Sequence, residues 1–188
     1  MPMKMIIVMV MLVCVAIPAI SQTETVPLAE TDINTDFNLI FVQVELLGST
    51  YWMLMDTGAS YSVVEYDMMT ELGIMVQDQQ TLKQPGGEVT IGTVGRIEFG
   101  VKGLEVVLEN LRSAQMNKVG LDGIMGKKVL GILGHDFIDQ FTLEVDYQGN
   151  RMRFFDKETY EYGGSGTAIP ITLTNTRPLA DGTVLNAG

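Results

Sequence analysis

Leu54-Met55-Asp56-Thr57-Gly58-Ala59-Ser60 is the stretch on which the fold turns. A carboxylate stands at the end of an apolar run and directly before a glycine turn. The run, Tyr51 to Met55, is nearly continuous in apolar side chains, the pattern of a strand covered on both faces. Burial raises a carboxylate's pKa and costs stability unless the group is paired, so an acid in this position calls for a use. Strand character resumes at Ser62-Val63-Val64, which leaves Asp56 in a short connection between two strands. By itself Asp-Thr-Gly is a common tripeptide; its apolar flanks give it weight.

Further along, Gly131-Ile132-Leu133-Gly134 ends an apolar run that starts at Val129, and Asp136-Phe137-Ile138 opens a short helix. Between the two elements, Lys83 to Gly95 carries Pro85, the glycines Gly86, Gly87, Gly92 and Gly95, and alternating Val89, Ile91 and Val94. That is the pattern of a glycine-tipped hairpin. In this order and spacing, the three features resemble the aspartic peptidases. In that family an Asp-Thr/Ser-Gly element is followed by a hairpin flap, and then by two apolar residues and a glycine before a helix. Ala59 is similar to the retroviral-type subfamily. The resemblance spans Phe37 to Phe155.

It implies an all-β, retropepsin-like, barrel-like lobe with one or two short helices. Asp56 is then the catalytic acid, Thr57, Gly58 and Ala59 form the active-site turn, and Ile132, Leu133 and Gly134 form the bracing strand. Gly86, Gly87 and Gly92 belong to the candidate flap. The chain has no second Asp-Thr-Gly or Asp-Ser-Gly. The resemblance therefore implies a homodimer in which two copies of Asp56 meet across a two-fold axis. Two adjacent carboxylates share one proton. The ionised one activates a water that attacks a peptide carbonyl, and the protonated one donates to the developing oxyanion. The expected partner is a peptide or protein substrate, with no cofactor and no metal. A non-catalytic peptide-binding module built on the same lobe is the alternative.

The rest of the chain fits the all-β class. Leu39 to Leu46 reads as a strand, Gly48-Ser49-Thr50 as a hairpin turn, and Tyr66 to Leu72 as a short helix ended by Gly73. Arg96 to Leu111 reads as two strand runs broken at Gly100 and Gly103. Phe141 to Asp146 and Arg151 to Phe155 read as a hairpin around Gln148-Gly149-Asn150. Asp122 reads as a turn residue and Gly163 to Gly166 as a linker. His135 is expected at the surface or in a cap, Asp136 as a helix cap, and Trp52 and Met53 in the core rather than in a peptide pocket.

Composition narrows the chemistry. The 188 residues are 46% hydrophobic and 19% charged, enough to fill a core. With 12 basic and 23 acidic residues the net charge is -11, and no basic patch offers a nucleic-acid surface. The only cysteine is Cys14 and the only histidine is His135, so neither a two-histidine zinc site nor a Cys–His pair in the folded part can be assembled.

Met1 to Ser21 has a basic start, an apolar run shorter than the roughly 20 residues of a membrane span, and small residues before a cleavage point after Ser21. It reads as a signal peptide of an exported protein. An uncleaved anchor or a lipoprotein at Cys14 are the alternatives. Residues 22–36 read as a polar linker or arm, 37–157 as the lobe, and 158–188 as a tail. In the tail, Ala168 to Leu173 begins a strand, and Asn175 to Gly188 reads as a strand and a turn. The tail is expected to be either the interface strand of a dimer, as in retroviral-type enzymes, or the start of a second lobe. The first is preferred.

Overall fold

A computed structural model describes residues 25–84, 87–116 and 126–183. The expected signal peptide, Gly86 and Asp122 lie outside the described residues. The strands are β1 (Ala29–Asn34), β2 (Ile40–Leu46), β3 (Ser49–Met55), β4 (Val63–Glu65), β5 (Gln77–Gln84), β6 (Gly87–Val101), β7 (Leu104–Ala114), β8 (Val129–Leu133), β9 (Thr142–Asp146), β10 (Arg151–Phe155), β11 (Thr172–Thr174) and β12 (Arg177–Leu179). The helices are short, α1 (Tyr66–Glu71) and α2 (His135–Ile138).

The strand order β6-β7-β4-β8-β3-β2 closes on itself, because β2 returns to β6 at Glu45 and Gly100. This six-stranded barrel is the lobe. Closure leaves no free edge within the ring; the edges of the larger sheet fall on β5 and β9. A side chain at Gly100 would put its Cβ 3.5 Å from Glu45 Cβ, an ordinary packing distance, so the seam does not depend on the glycine. β5 stands outside the ring as the partner of β6, and β1, β10 and β9 extend the sheet from β2.

The barrel interior is apolar. Val42, Val44, Met53, Val64, Val101, Leu111 and Leu133 are fully or nearly fully buried. Phe137 stacks on Phe99 at 6.0 Å between ring centres and meets Phe154 edge-on at 6.1 Å, which ties α2 to β6 and β10. On the opposite face of β2, β3 and β8, Phe41, Leu54 and Val129 form a second cluster with Trp52 against it. So β3 is covered on both faces, as its apolar run predicts. Met53 is core, and Trp52 is half-buried in the second cluster.

Several sequence readings shift. The segment read as linker or arm contains β1, which pairs with β10 and β2. Its inward positions are Ala29, Thr31 and Ile33, and its outward ones include Glu30 and Asp32; the small and polar inward residues disguise the alternation. The turn after β2 is Leu47-Gly48, both with positive φ (50° and 76°), and Ser49 already belongs to β3. Gly100 breaks nothing, since β6 runs without interruption to Val101. The turn comes at Lys102-Gly103, again with both φ positive. In the tail, Asn175 is not in a strand: Asn175-Thr176 is the positive-φ turn between β11 and β12.

Candidate active site

β3 and β8 are parallel neighbours, with Met53, Leu54 and Met55 opposite Gly131, Ile132 and Leu133. Parallel pairing brings both C-terminal ends to one end of the barrel, so the loop after β3 and the helix after β8 are delivered to the same place. There they interlock. Asp56 N donates to Leu133 O at 3.0 Å, and His135 N donates to Ala59 O at 2.9 Å. The turn is closed by Ala59 N donating to Asp56 O at 3.1 Å.

The Asp56 carboxylate is half-buried. Its Oδ1 accepts from Gly58 N at 2.8 Å, an amide aimed at the acid by the turn itself. Thr57 and Gly58, at the crest of the turn, are exposed. A Cβ at Gly58 would stand 3.1 Å from Asp56 Oδ1 and press on the carboxylate.

The bracing glycines are explained by close approach rather than by backbone angle. A Cβ at Gly131 would overlap the Val63 carbonyl oxygen, and one at Gly134 would lie 2.6 Å from Tyr61 C and 2.9 Å from Ala59 O. The chain 59–64 lies directly on β8, and only hydrogen fits between them. Ile132 and Leu133 flank this contact; Leu133 is fully buried and pairs with Met55, next to Asp56.

Ser62 escaped the sequence reading. It is fully buried between exposed Tyr61 and half-buried Val63. Its Oγ accepts from Gly134 N at 3.0 Å and donates to Asp136 Oδ1 at 2.6 Å, while Ser62 N donates to the same oxygen at 2.8 Å. Asp136 therefore does more than cap. It accepts from Phe137 N at 3.0 Å, and it also ties α2 to the loop after Asp56. The one sequence signal for this clasp is a lone serine ahead of an apolar strand. Half-buried His135 joins the site through its backbone N–H.

The hairpin over Lys83 to Gly95 is present and longer than its glycines suggest. β5 begins at Gln77, and Gln84 pairs with Gly87, which has φ of 123°. Thr81 to Lys83 and Gly87-Glu88 are exposed. Gly92 is not at the tip. It lies in mid-β6 opposite Ser113, where a Cβ would meet Val76 Cγ1 at 2.5 Å and Gln77 O at 2.8 Å. The base of the hairpin is anchored by Gln115. Its N donates to Thr90 O at 3.0 Å, its Oε1 accepts from Thr90 N at 3.1 Å, and its Nε2 donates to Asp67 on α1 at 3.4 Å.

Residues 42–137, covering β2 through most of α2, match the profile of a family described as aspartyl protease. The chain belongs to the aspartyl protease family. Within this family match, Asp56-Thr57-Gly58 and Ile132-Leu133-Gly134 are the elements that the barrel brings together. Among solved structures, a retropepsin-like aspartic protease from Rickettsia conorii is similar, at 15% identity and a TM-score of 0.46, over 66% of this chain and 96% of that one. No curated protein matches the chain.

Proposed function

We propose that this aspartyl protease is an endopeptidase that hydrolyses peptide bonds with two copies of Asp56, one from each subunit of a homodimer. The observation that carries the reading is the Asp56 turn. A half-buried carboxylate is oriented through Oδ1 by Gly58 N, and it stands beside an exposed crest at Thr57-Gly58. A crest of this kind suits apposition of a second, identical turn.

In the dimer the two carboxylates share a proton. The ionised one takes a proton from the water between them as that water attacks the scissile carbonyl, and the neutral one donates to the oxyanion. The amide at Gly58 holds the acceptor oxygen in place, and the Ser62–Asp136 clasp holds the loop. The hairpin β5–β6 closes over an extended peptide and excludes water.

The tail supplies the interface. β11 and β12 form a two-stranded sheet outside the main one, a size of sheet that is marginal by itself. Ile169, Ile171, Leu173 and Leu179 are exposed along it, and its turn touches the active-site loop where Ser60 Oγ donates to Asn175 O at 3.4 Å. Export after removal of residues 1–21 completes the proposal.

The test is Asp56→Asn, which keeps the shape and removes the shared proton. Hydrolysis of an unstructured protein should fall by at least about 10³-fold with thermal unfolding still cooperative. Retention of substantial activity by the purified variant rejects the assignment.

A further inference from the structure

One stretch of this acidic chain is almost free of charge. The chain is 19% charged, yet residues 163–180 carry a single charge, Arg177, and no acid. This stretch holds β11 and β12, and it leaves the lobe through a bend of defined shape. Gly166 N donates to Tyr162 Oη at 3.1 Å, and a Cβ at Gly164 would lie 2.5 Å from Tyr162 Cζ. The chain curls around the phenol instead of trailing as the linker its glycines suggest, so the hairpin is directed before any partner arrives.

Register gives the hairpin two unlike faces. Thr172 pairs with Leu179, Leu173 with Pro178, and Thr174 with Arg177. Side chains alternate along a strand, and residues paired across two strands share a face. Thr172, Thr174, Arg177 and Leu179 therefore form one face, and Leu173 and Pro178 the other. The first is turned to the active-site loop, because Thr174, Arg177 and Leu179 line a cleft of about 350 Å³ with Ser60. The second is apolar and open. Leu173 is 53% exposed, and Ile171, two residues before it, is 61% exposed.

An open apolar face on a two-stranded sheet, a size that is marginal alone, is a surface lacking its partner. Charge selects the occupant. Two chains of -11 repel each other over most of their surface, and residues 163–180 are where they can approach with no acid set against acid. An uncharged face also matches its own copy across a two-fold axis, where each residue meets its equivalent or a neighbour. The opposite face of the hairpin lies at Ser60, in the loop that carries Asp56, so a copy seated here is held next to the turn it has to complete.

We propose that the Ile171, Leu173 and Pro178 face of the hairpin packs on the same face of a second copy of this chain, face to face rather than edge to edge. The Thr172 and Thr174 face stays on the chain's own active-site loop. This rests on the homodimer reading and adds which surface makes the pair.

Sedimentation equilibrium of the purified protein gives the dimer dissociation constant. Leu173→Asp should raise it at least about hundredfold, because the substitution enters a two-fold interface twice, and Leu173→Ala about tenfold. Thr172→Asp adds the same charge on the opposite face and should change it by less than about threefold. Thermal unfolding of Leu173→Asp should remain cooperative. A second measurement does not depend on that variant. With Cys14→Ser removing the only native thiol, Leu173→Cys should be linked into a dimer by a short bismaleimide and Thr172→Cys should not.

A parent dimer that Leu173→Asp leaves intact, or equal crosslinking from both positions, overturns the face and leaves the homodimer standing. A parent that is monomeric at every concentration overturns the homodimer reading and this surface together; if that monomer sediments with phosphatidylcholine vesicles, the occupant is lipid and not a second copy. Absence of cleavage with the sedimentation shifts intact overturns the peptidase reading and leaves the surface standing.

Discussion

At the scale of single residues, the site depends on what is missing from a side chain as much as on what is present. Gly134→Ala would drive a methyl to 2.6 Å from Tyr61 C, against backbone that cannot step aside cheaply. Stability should fall by about 1–3 kcal/mol, the cost of overpacking a tight contact, and activity should fall with it because the displaced loop carries Asp56. Urea denaturation read beside turnover checks both; a variant within about 0.5 kcal/mol of the parent refutes the contact.

Ser62→Ala removes the acceptor for Gly134 N and one donor to Asp136, and it should cost about 1–3 kcal/mol by leaving a buried amide unsatisfied. Asp136→Asn keeps an oxygen for Ser62 and should cost less, so the order of the two variants in the same denaturation series is itself a check. Asp56, Gly58 and Gly134 were legible in the sequence because a turn and a short apolar run advertise them locally. The Ser62–Asp136 clasp was not, because its two halves lie 74 positions apart and each has a bland local reading.

At the scale of elements, hairpins and apolar strands were legible, while β1 and the extent of the flap were not. β1 hides because its inward residues include Ala29 and Thr31, and it is held from outside by ions. Glu30 bridges Arg153 and Arg151 on β10, and the hydrogen bonds from these guanidiniums hold its carboxyl below its ordinary 4.5. A depressed folded-state pKa gives stability that is present above the unfolded value and is lost as pH falls through the folded one. Glu30→Gln should therefore lower Tm at pH 7 and lose its effect in strongly acidic solution; equal effects at both pH values contradict the pairing.

The glycines mark the β5–β6 hairpin, but Gln115, the residue after β7, sets where it is tethered. Gln115→Ala removes the acceptor of Thr90 N, and hydrogen exchange at that amide should quicken about fivefold, as expected for a hydrogen bond worth ~1 kcal/mol. Protection unchanged at Thr90 would place the tether elsewhere.

At the scale of the molecule, the dimer proposed above makes activity a property of the pair, since each chain carries one Asp-Thr-Gly. Specific activity should rise with protein concentration until dimers saturate, and moderate salt should lower the concentration required by screening two chains of charge -11. Sedimentation beside turnover decides it: constant specific activity from monomers alone contradicts the dimer. Deleting residues 167–188 should dissociate and inactivate the protein if β11 and β12 are the interface.

The lobe as a whole was legible because its strand signals come in order. Its closure was not, since nothing local marks Glu45 and Gly100 as the pair that shuts the ring. That seam lies on β6, and β6 is also the inner arm of the β5–β6 hairpin proposed as the flap. One strand therefore keeps two rulers, and they constrain how the gene can drift. Residues added at the hairpin tip lengthen the flap and leave the barrel untouched. One residue inserted between Gly95 and Ile97 and not taken up as a bulge would turn Ile97 and Phe99 out to water and offset the seam from Glu45. Descendants of this chain are thus free to vary in flap length and are held to a fixed count along the lower half of the same strand.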